Sequence, residues 1–305
     1  MKKLLILAAC LCAATGIAKD AKASVLANNM TFNGTEDVFI DESRANIVDT
    51  DGNGVLSVGD VIYGYVSFDE RNLDGGGNEN IQGGRLAALF SIKVTAETSP
   101  GSKIFLHGAN DTAGTTFADL LDAGLLAEGV GGAAIDSDAM FLIVESTTAV
   151  SPVNTATSLA WFTSADWDIV ATGGVVAANG DYFQAKDRSD YGGAGPADDD
   201  ILIQETASLS VLQHTLSGGV VFLDNVGADD FLIPGVSLAD AFGQIAIRSA
   251  TVTNNTNSDS ASWALQDNGN FAFNAVPEPA TFAVWGVFGL IGVASGIRRR
   301  YRKNS

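Results

Sequence analysis

The chain has 305 residues, of which 17 are Lys or Arg and 36 are Asp or Glu, for a formal net charge of −19. So acidic a surface repels phosphate backbones and excludes nucleic-acid partners, while 46% hydrophobic residues is too many for a disordered acidic tail. Asp outnumbers Glu 27 to 9 and there are 34 Gly, a balance that favours turns and caps over helix interiors and points to β-structure with many loops.

Residues 1–23 read as a secretory signal peptide. Lys2 and Lys3 form its positive start, and Leu4 to Ile17 is an almost uninterrupted apolar run. Ala21-Lys22-Ala23 offers small residues where a signal peptidase reads them, which sets cleavage after Ala23. Leu7-Ala8-Ala9-Cys10 also has the residue types of a lipoprotein box, but only six apolar residues precede Cys10, which is short for such a signal. Both cysteines, Cys10 and Cys12, fall in this leader, so the mature chain is expected to lack disulfides, thiol nucleophiles and thiolate metal sites. The exported body, 24–276, keeps eight basic and 34 acidic residues, a net charge of −26. Such a body attracts divalent cations.

The body's first motif is Asp49-Thr50-Asp51-Gly52-Asn53-Gly54-Val55-Leu56-Ser57-Val58-Gly59-Asp60. It resembles a 12-residue calcium loop of the EF-hand or dockerin type. The resemblance implies side-chain ligands from Asp49, Asp51 and Asn53 and a sharp turn at Gly54. It implies further ligands from the Val55 carbonyl, from Ser57 directly or through water, and from Asp60, with Leu56 turned into the core. Ca²⁺, a hard cation, suits such a set of oxygens from one short segment. Three features depart from the pattern: Asp stands at the last position in place of Glu, a strand-like run follows in place of a helix, and the loop is single. An Asx-rich turn between two strands would need the same Asp, Asn and Gly for backbone reasons, and remains the alternative.

Strand signals then recur along the chain. Val61 to Phe68, Leu86 to Val94, Lys103 to Leu106, Met140 to Val144, Ile201 to Ile203, Val220 to Leu223, Ile245 to Val252 and Phe271 to Phe273 are β-branched and aromatic runs bounded by Gly, Asp or Asn. One helix is expected near 117–127, with Phe117, Leu120, Leu121 and Leu125 on one face, Thr115 or Thr116 as cap and Gly129 as stop. Gly-rich stretches at 74–77, 129–132 and 192–195 read as loops, and none separates two domains. The expected fold class is mainly β: an antiparallel β-sandwich, jelly-roll-like, with one short helix.

Between 161 and 191 lie Trp161, Phe162, Trp167, Tyr182, Phe183 and Tyr191. Exposed, such rings could stack on sugars; buried, they would fill the core of a sandwich. Asp198-Asp199-Asp200 could lend ligands to another cation or be a solvated loop. Catalysis has little support. The body's two histidines, His107 and His214, belong to no His-x-x-x-His pair, and there is no Gly-x-Ser-x-Gly elbow or phosphate loop. His107 reads as an ordinary strand-end residue.

At the other end Val276-Pro277-Glu278-Pro279 precedes an uncharged stretch from Ala280 to Ile297, followed at once by Arg298, Arg299, Arg300, Arg302 and Lys303. At 1.5 Å per residue that stretch makes a helix of about 27 Å, just enough to cross a hydrocarbon core. The basic cluster at 298–303 would stay in the cytoplasm and leave the body on the far side of the inner membrane. These three parts resemble the PEP-CTERM sorting signal of Gram-negative bacteria, a tail also labelled ice-binding protein C-terminal domain. The resemblance covers 277–305 and the preceding Val276. It implies recognition by an exosortase, loss of the tail, and release or attachment at the cell surface in association with extracellular polysaccharide and biofilm. A permanent single-pass anchor is the plainer alternative. The expectation is therefore a non-catalytic, exported surface or extracellular-matrix protein of structural or adhesive role. A secreted carbohydrate-binding module or carbohydrate-active enzyme is the second reading.

Overall fold

The computed structural model describes residues 24–30, 37–53, 56–73, 77–148, 150, 159–187, 203–216, 220–222, 240–247, 265–273 and 275–277. The leader at 1–23, the segment 278–305 with the expected membrane span, Asp198 to Asp200 and Tyr191 lie outside them. Among the described residues no helix is long and apolar enough to cross a membrane.

In chain order the elements are α1 (Val25–Asn29), β1 (Asp37–Val48), β2 (Val61–Leu73), β3 (Asn78–Asn80), β4 (Arg85–Glu97), β5 (Ile104–Ala109), α2 (Phe117–Leu120), α3 (Ala123–Glu128) and β6 (Phe141–Ser146). There follow β7 (Asp168–Gly174), a 3₁₀ turn (Ala177–Asn179), β8 (Tyr182–Asp187), β9 (Ile203–His214), β10 (Val220–Phe222), β11 (Ala241–Ile247), β12 (Leu265–Phe273) and β13 (Ala275–Pro277). The fold is mainly β and antiparallel with a few short helices, as the composition led one to expect, and is consistent with a β-sandwich.

Among the described residues eleven strands make one sheet in the order β3-β2-β1-β12-β11-β9-β7-β6-β4-β5-β8, and the further pairings β2–β4 and β9–β8 close it on itself. Two long strands allow this by changing neighbours along their length. The first half of β4 pairs with β6 (Arg85↔Ser146 to Phe90↔Phe141) and its second half with β5 (Ile92↔Ala109 to Glu97↔Phe105). The first half of β9 lies between β8 and β11, and its second half passes to β7.

Burial follows the two-residue period of a strand. Leu86, Ala88, Phe90, Ile92 and Val94 of β4 face an interior core with Phe39, Phe68, Phe141, Phe271 and Phe273. The alternate residues Ala87 and Leu89 join Tyr65, Leu142, Val144 and Ile169 in a second cluster, covered by Leu120, Leu121, Leu125, Phe162 and Trp167. A sheet covered on both faces needs apolar residues at every position, which is why Leu86 to Phe90 of β4 and Phe141 to Val144 of β6 read as unbroken apolar runs although their pairing is antiparallel. Full burial of one such side chain stabilises by about 1.5–3 kcal/mol. Where β6 and β7 pair, Phe141 lies opposite Gly173, and a Cβ there would come within 2.1 Å of the Phe141 ring.

The single helix expected near 117–127 is two. Thr116 caps α2, and the chain then extends at Leu121 (φ −99°, ψ 157°) before Asp122 caps α3 by accepting from the Gly124 N–H. A carboxylate that satisfies a free N–H of a new first turn competes with continuation of the old helix. Gly129 does end the segment, at φ 49°. Strands β1, β3, β7, β8 and β13 and most of β9 go beyond the sequence expectation. β1 carries buried Ser43, Arg44 and Asn46 beside Ala45 and Ile47, so its apolar pattern is broken by polar residues the fold satisfies internally; the Arg44 guanidinium, for example, donates to the Ser43 carbonyl at 2.7 Å.

Candidate functional site

The 49–60 motif is the connection between β1 and β2, whose register pairs Val48 with Val61. Asp49 and Asp60 directly follow and precede that pair, so the hairpin brings together two carboxylates eleven positions apart. Asp49 and Asp60 are buried, Asp51 is exposed, and one carboxylate oxygen of each lies within 4.8 Å of the others. These three residues could hold a metal ion.

Asp60 is also the strut of the loop. Its Oδ1 accepts from the Thr50 N–H (2.8 Å) and hydroxyl (3.1 Å), and its Oδ2 from the Ser57 N–H (2.8 Å) and hydroxyl (3.1 Å). A carboxylate offers about four lone-pair sites, so this group is saturated by its own loop. The two hydroxyls are the exchangeable members, because a hydroxyl can rotate its proton elsewhere and present a lone pair to a cation. Asp49 Oδ1 accepts from the Gly52 N–H (2.7 Å) and Asn53 N–H (3.2 Å), three and four residues on, and bridges the start of the loop. Asp51 accepts from the Asn53 N–H at 3.1 Å, two residues on as in an Asx turn, and from the Asn53 Nδ2 at 2.8 Å; the Ser57 hydroxyl, also 3.1 Å from Asp51, has one proton to give to either Asp51 or Asp60. Turning the Asn53 amide over would present its oxygen in place of that Nδ2.

The loop is tied to the sheet at its far end. The Gly59 N–H donates to the Val94 carbonyl (2.9 Å), and the Val94 N–H to the Asp60 carbonyl (2.8 Å). Gly52 (φ 72°) and Gly59 (φ 103°) take left-handed conformations that glycine adopts without strain. Leu56 is buried in the interior core, as the calcium-loop pattern implies. Gly54 and Val55, the expected turn and carbonyl ligand, lie outside the described residues. Of the six expected ligands, Asp49, Asp51, Asn53, Ser57 and Asp60 thus share one loop, and the motif serves as an Asx-braced hairpin whether or not an ion is bound.

The aromatic region resolves differently from a sugar platform. Phe162 and Trp167 are 0% and 1% exposed, and Trp161 stacks at 3.9 Å between ring centroids on Phe162. Tyr65 meets both Trp161 and Phe162 edge-on. Tyr182 and Phe183 are buried on β8. Phe162 and Trp167 belong to the outer cluster with Trp161 packed against it, and Phe183 belongs to the interior core.

His107 is no strand-end residue. It sits within β5, 4% exposed, with its ring 5.1 Å from that of Phe183, and neither ring nitrogen has a hydrogen-bond partner among the described residues. Burial lowers its pKa to about 3, so the ring is neutral at pH 7. His214 lies on β9 opposite Ala171 of β7.

Buried structural carboxylates, Asp181, Asp240 and Glu145 among them, escaped sequence reasoning. Glu145 on β6 is buried, and its Oε2 accepts from the Ser24 hydroxyl (2.8 Å) and the Leu26 N–H (3.0 Å), pinning α1 to the sheet. Burial raises its pKa, opposed by those hydrogen bonds. Its only sequence signal was an acid ending an apolar strand, Phe141 to Val144.

No protein-family model, curated protein or solved structure matches this chain.

Proposed function

We propose that this chain is an exported, non-catalytic surface or extracellular-matrix protein that an exosortase sorts after transient anchoring in the inner membrane. Its body, on this reading, is a jelly-roll-like β-sandwich of structural or adhesive role. The observation that carries the proposal is the three-part C-terminal sequence: Val276-Pro277-Glu278-Pro279, the uncharged stretch 280–297 and the basic cluster 298–303. Each part has a physical task, respectively recognition, membrane residence and orientation.

Ca²⁺ is the cation proposed for the β1–β2 loop. Its ligand shell is all oxygen, it tolerates irregular geometry, and the loop offers Asp49, Asp51, Asp60, Ser57 and Asn53. A weak site, with Kd of roughly 10⁻⁴ to 10⁻³ M, suits an extracellular module. Bound calcium would also let a body of net charge −26 sit beside anionic polysaccharide.

The test is co-sedimentation of the processed chain with exopolysaccharide from the producing organism, in calcium and in chelator. Pelleting with calcium, lost in chelator and in Asp49→Ala, is the expected result. Absence of pelleting in both conditions removes the matrix role, and mass spectrometry of a mature chain that keeps its arginine cluster removes the sorting.

A further inference from the structure

The sorting motif begins inside a folded strand. β13 ends at Pro277, and its residues pair antiparallel with β10 in a separate two-stranded ribbon: Val220↔Pro277, Val221↔Val276 and Phe222↔Ala275. The first two residues of Val276-Pro277-Glu278-Pro279 are thus already engaged by the body. Proline has no N–H to give a ladder, so Pro277 and Pro279 set a chemical limit to the ribbon at the motif itself. On the other side, β12 ends in the main sheet at Phe273, with one residue between it and β13.

Chain lengths then constrain processing. Between Pro277 and the uncharged stretch at Ala280 stand only Glu278 and Pro279. Three residue steps reach at most about 10 Å, so the folded ribbon would be held against the membrane surface. An enzyme that cuts near the motif must seat several extended residues in its cleft, as strand-recognising sites do. Freeing the four residues from Asn274 to Pro277 adds roughly 14 Å of extended chain. A three-residue, two-stranded ribbon is marginal by itself and can supply that slack by opening.

We propose that the β10–β13 ribbon is a gate on tail removal: the processing enzyme takes the motif only after β13 leaves β10. The gate rests on the sorting reading above and adds to it a conformational step encoded by the body. It couples release from the membrane to the local stability of one short ribbon.

The test exploits a mature chain expected to lack cysteine. Residues directly opposite in an antiparallel pair have Cβ atoms about 4.5–5.5 Å apart, close enough for a disulfide after small adjustment. Phe222→Cys with Ala275→Cys would lock the ribbon and leave Val276 to Pro279 intact. The full-length chain, its two single-cysteine variants and the double variant are expressed in the producing organism. Oxidation is scored by thiol alkylation, and tail loss by gel mobility and mass spectrometry. The expected result is tail loss in the wild type and both single variants, retention in the oxidised double variant, and tail loss again once dithiothreitol is added to washed cells. That recovery separates a locked gate from a misfolded chain. The gate is overturned if the oxidised double variant loses its tail as fast as the wild type, if reduction does not restore loss, or if the two cysteines fail to join. A wild-type chain that itself keeps the tail overturns the sorting reading and the gate with it, a pattern distinct from the other three.

Discussion

His107 gives the sharpest quantitative expectation. Its imidazole is buried without a hydrogen-bond partner among the described residues, and burial lowers its pKa to about 3. In the unfolded chain the ring returns to about 6.5. Between these values the unfolded state binds more protons than the native one, so stability rises with pH across the window. The contribution is complete above pH 6.5 and is lost as pH falls toward about 3. At 1.36 kcal/mol per pH unit, the loss reaches about 2 kcal/mol near pH 5, before most carboxylates titrate. Glu145 works in the opposite sense: burial raises its pKa, so its contribution falls as pH rises above its unfolded value. The two effects separate by comparing the wild type with His107→Phe, which keeps a ring of similar size beside Phe183. Urea unfolding of both proteins at a series of pH values between about 7.5 and 5 gives the difference in stability at each. That difference should shift by about 2 kcal/mol in favour of the variant as pH falls. A difference that stays flat over this range would refute a buried, neutral His107.

Calcium at about 10 mM should stabilise the wild type by roughly 1.4–2.7 kcal/mol for a Kd of about 10⁻³ to 10⁻⁴ M. Asp51→Ala should abolish that gain in thermal unfolding while costing under about 1 kcal/mol in chelator, since this carboxylate is exposed. Asp60→Ala should cost about 3 kcal/mol or more even in chelator, because it strands the Thr50 and Ser57 N–H groups; a loss that appears only with calcium present would contradict its role as a strut. Glu145→Ala should destabilise by about 3 kcal/mol and raise amide exchange first in α1, whose Leu26 N–H and Ser24 hydroxyl it holds. Gly173→Ala should cost about 1–3 kcal/mol by urea unfolding, and Phe141→Leu in the same chain should recover part of it by clearing the ring that meets the new methyl.

The β class, the strands from Val61 and Leu86, and the connection at 49–60 were legible because each depends on local pattern. Apolar and β-branched runs bounded by Asp and Gly need no partner to be recognised. β1 was not legible, since Ser43, Arg44 and Asn46 are buried there and break the apolar pattern by which a buried strand is recognised. The helix over 117–127 failed for a similar reason of scale: its apolar spacing is real, but one Asx cap at Asp122 decides where the chain turns.

The candidate site divides along the same line. Spacing alone named Asp49, Asp51, Asn53, Ser57 and Asp60 as oxygen donors, because alternate positions of a tight loop turn the same way. That Asp49 and Asp60 close on each other depends on the Val48↔Val61 register, and a register is a long-range pairing that no single segment contains. Tertiary packing also decided the fate of the aromatics. Trp161, Phe162 and Trp167 have the composition of a binding face, and they join Leu120, Leu121 and Leu125 in covering the outer side of β4 and β6. Composition sets how much ring and carboxylate a chain carries; closure of the sheet decides which of them meet water.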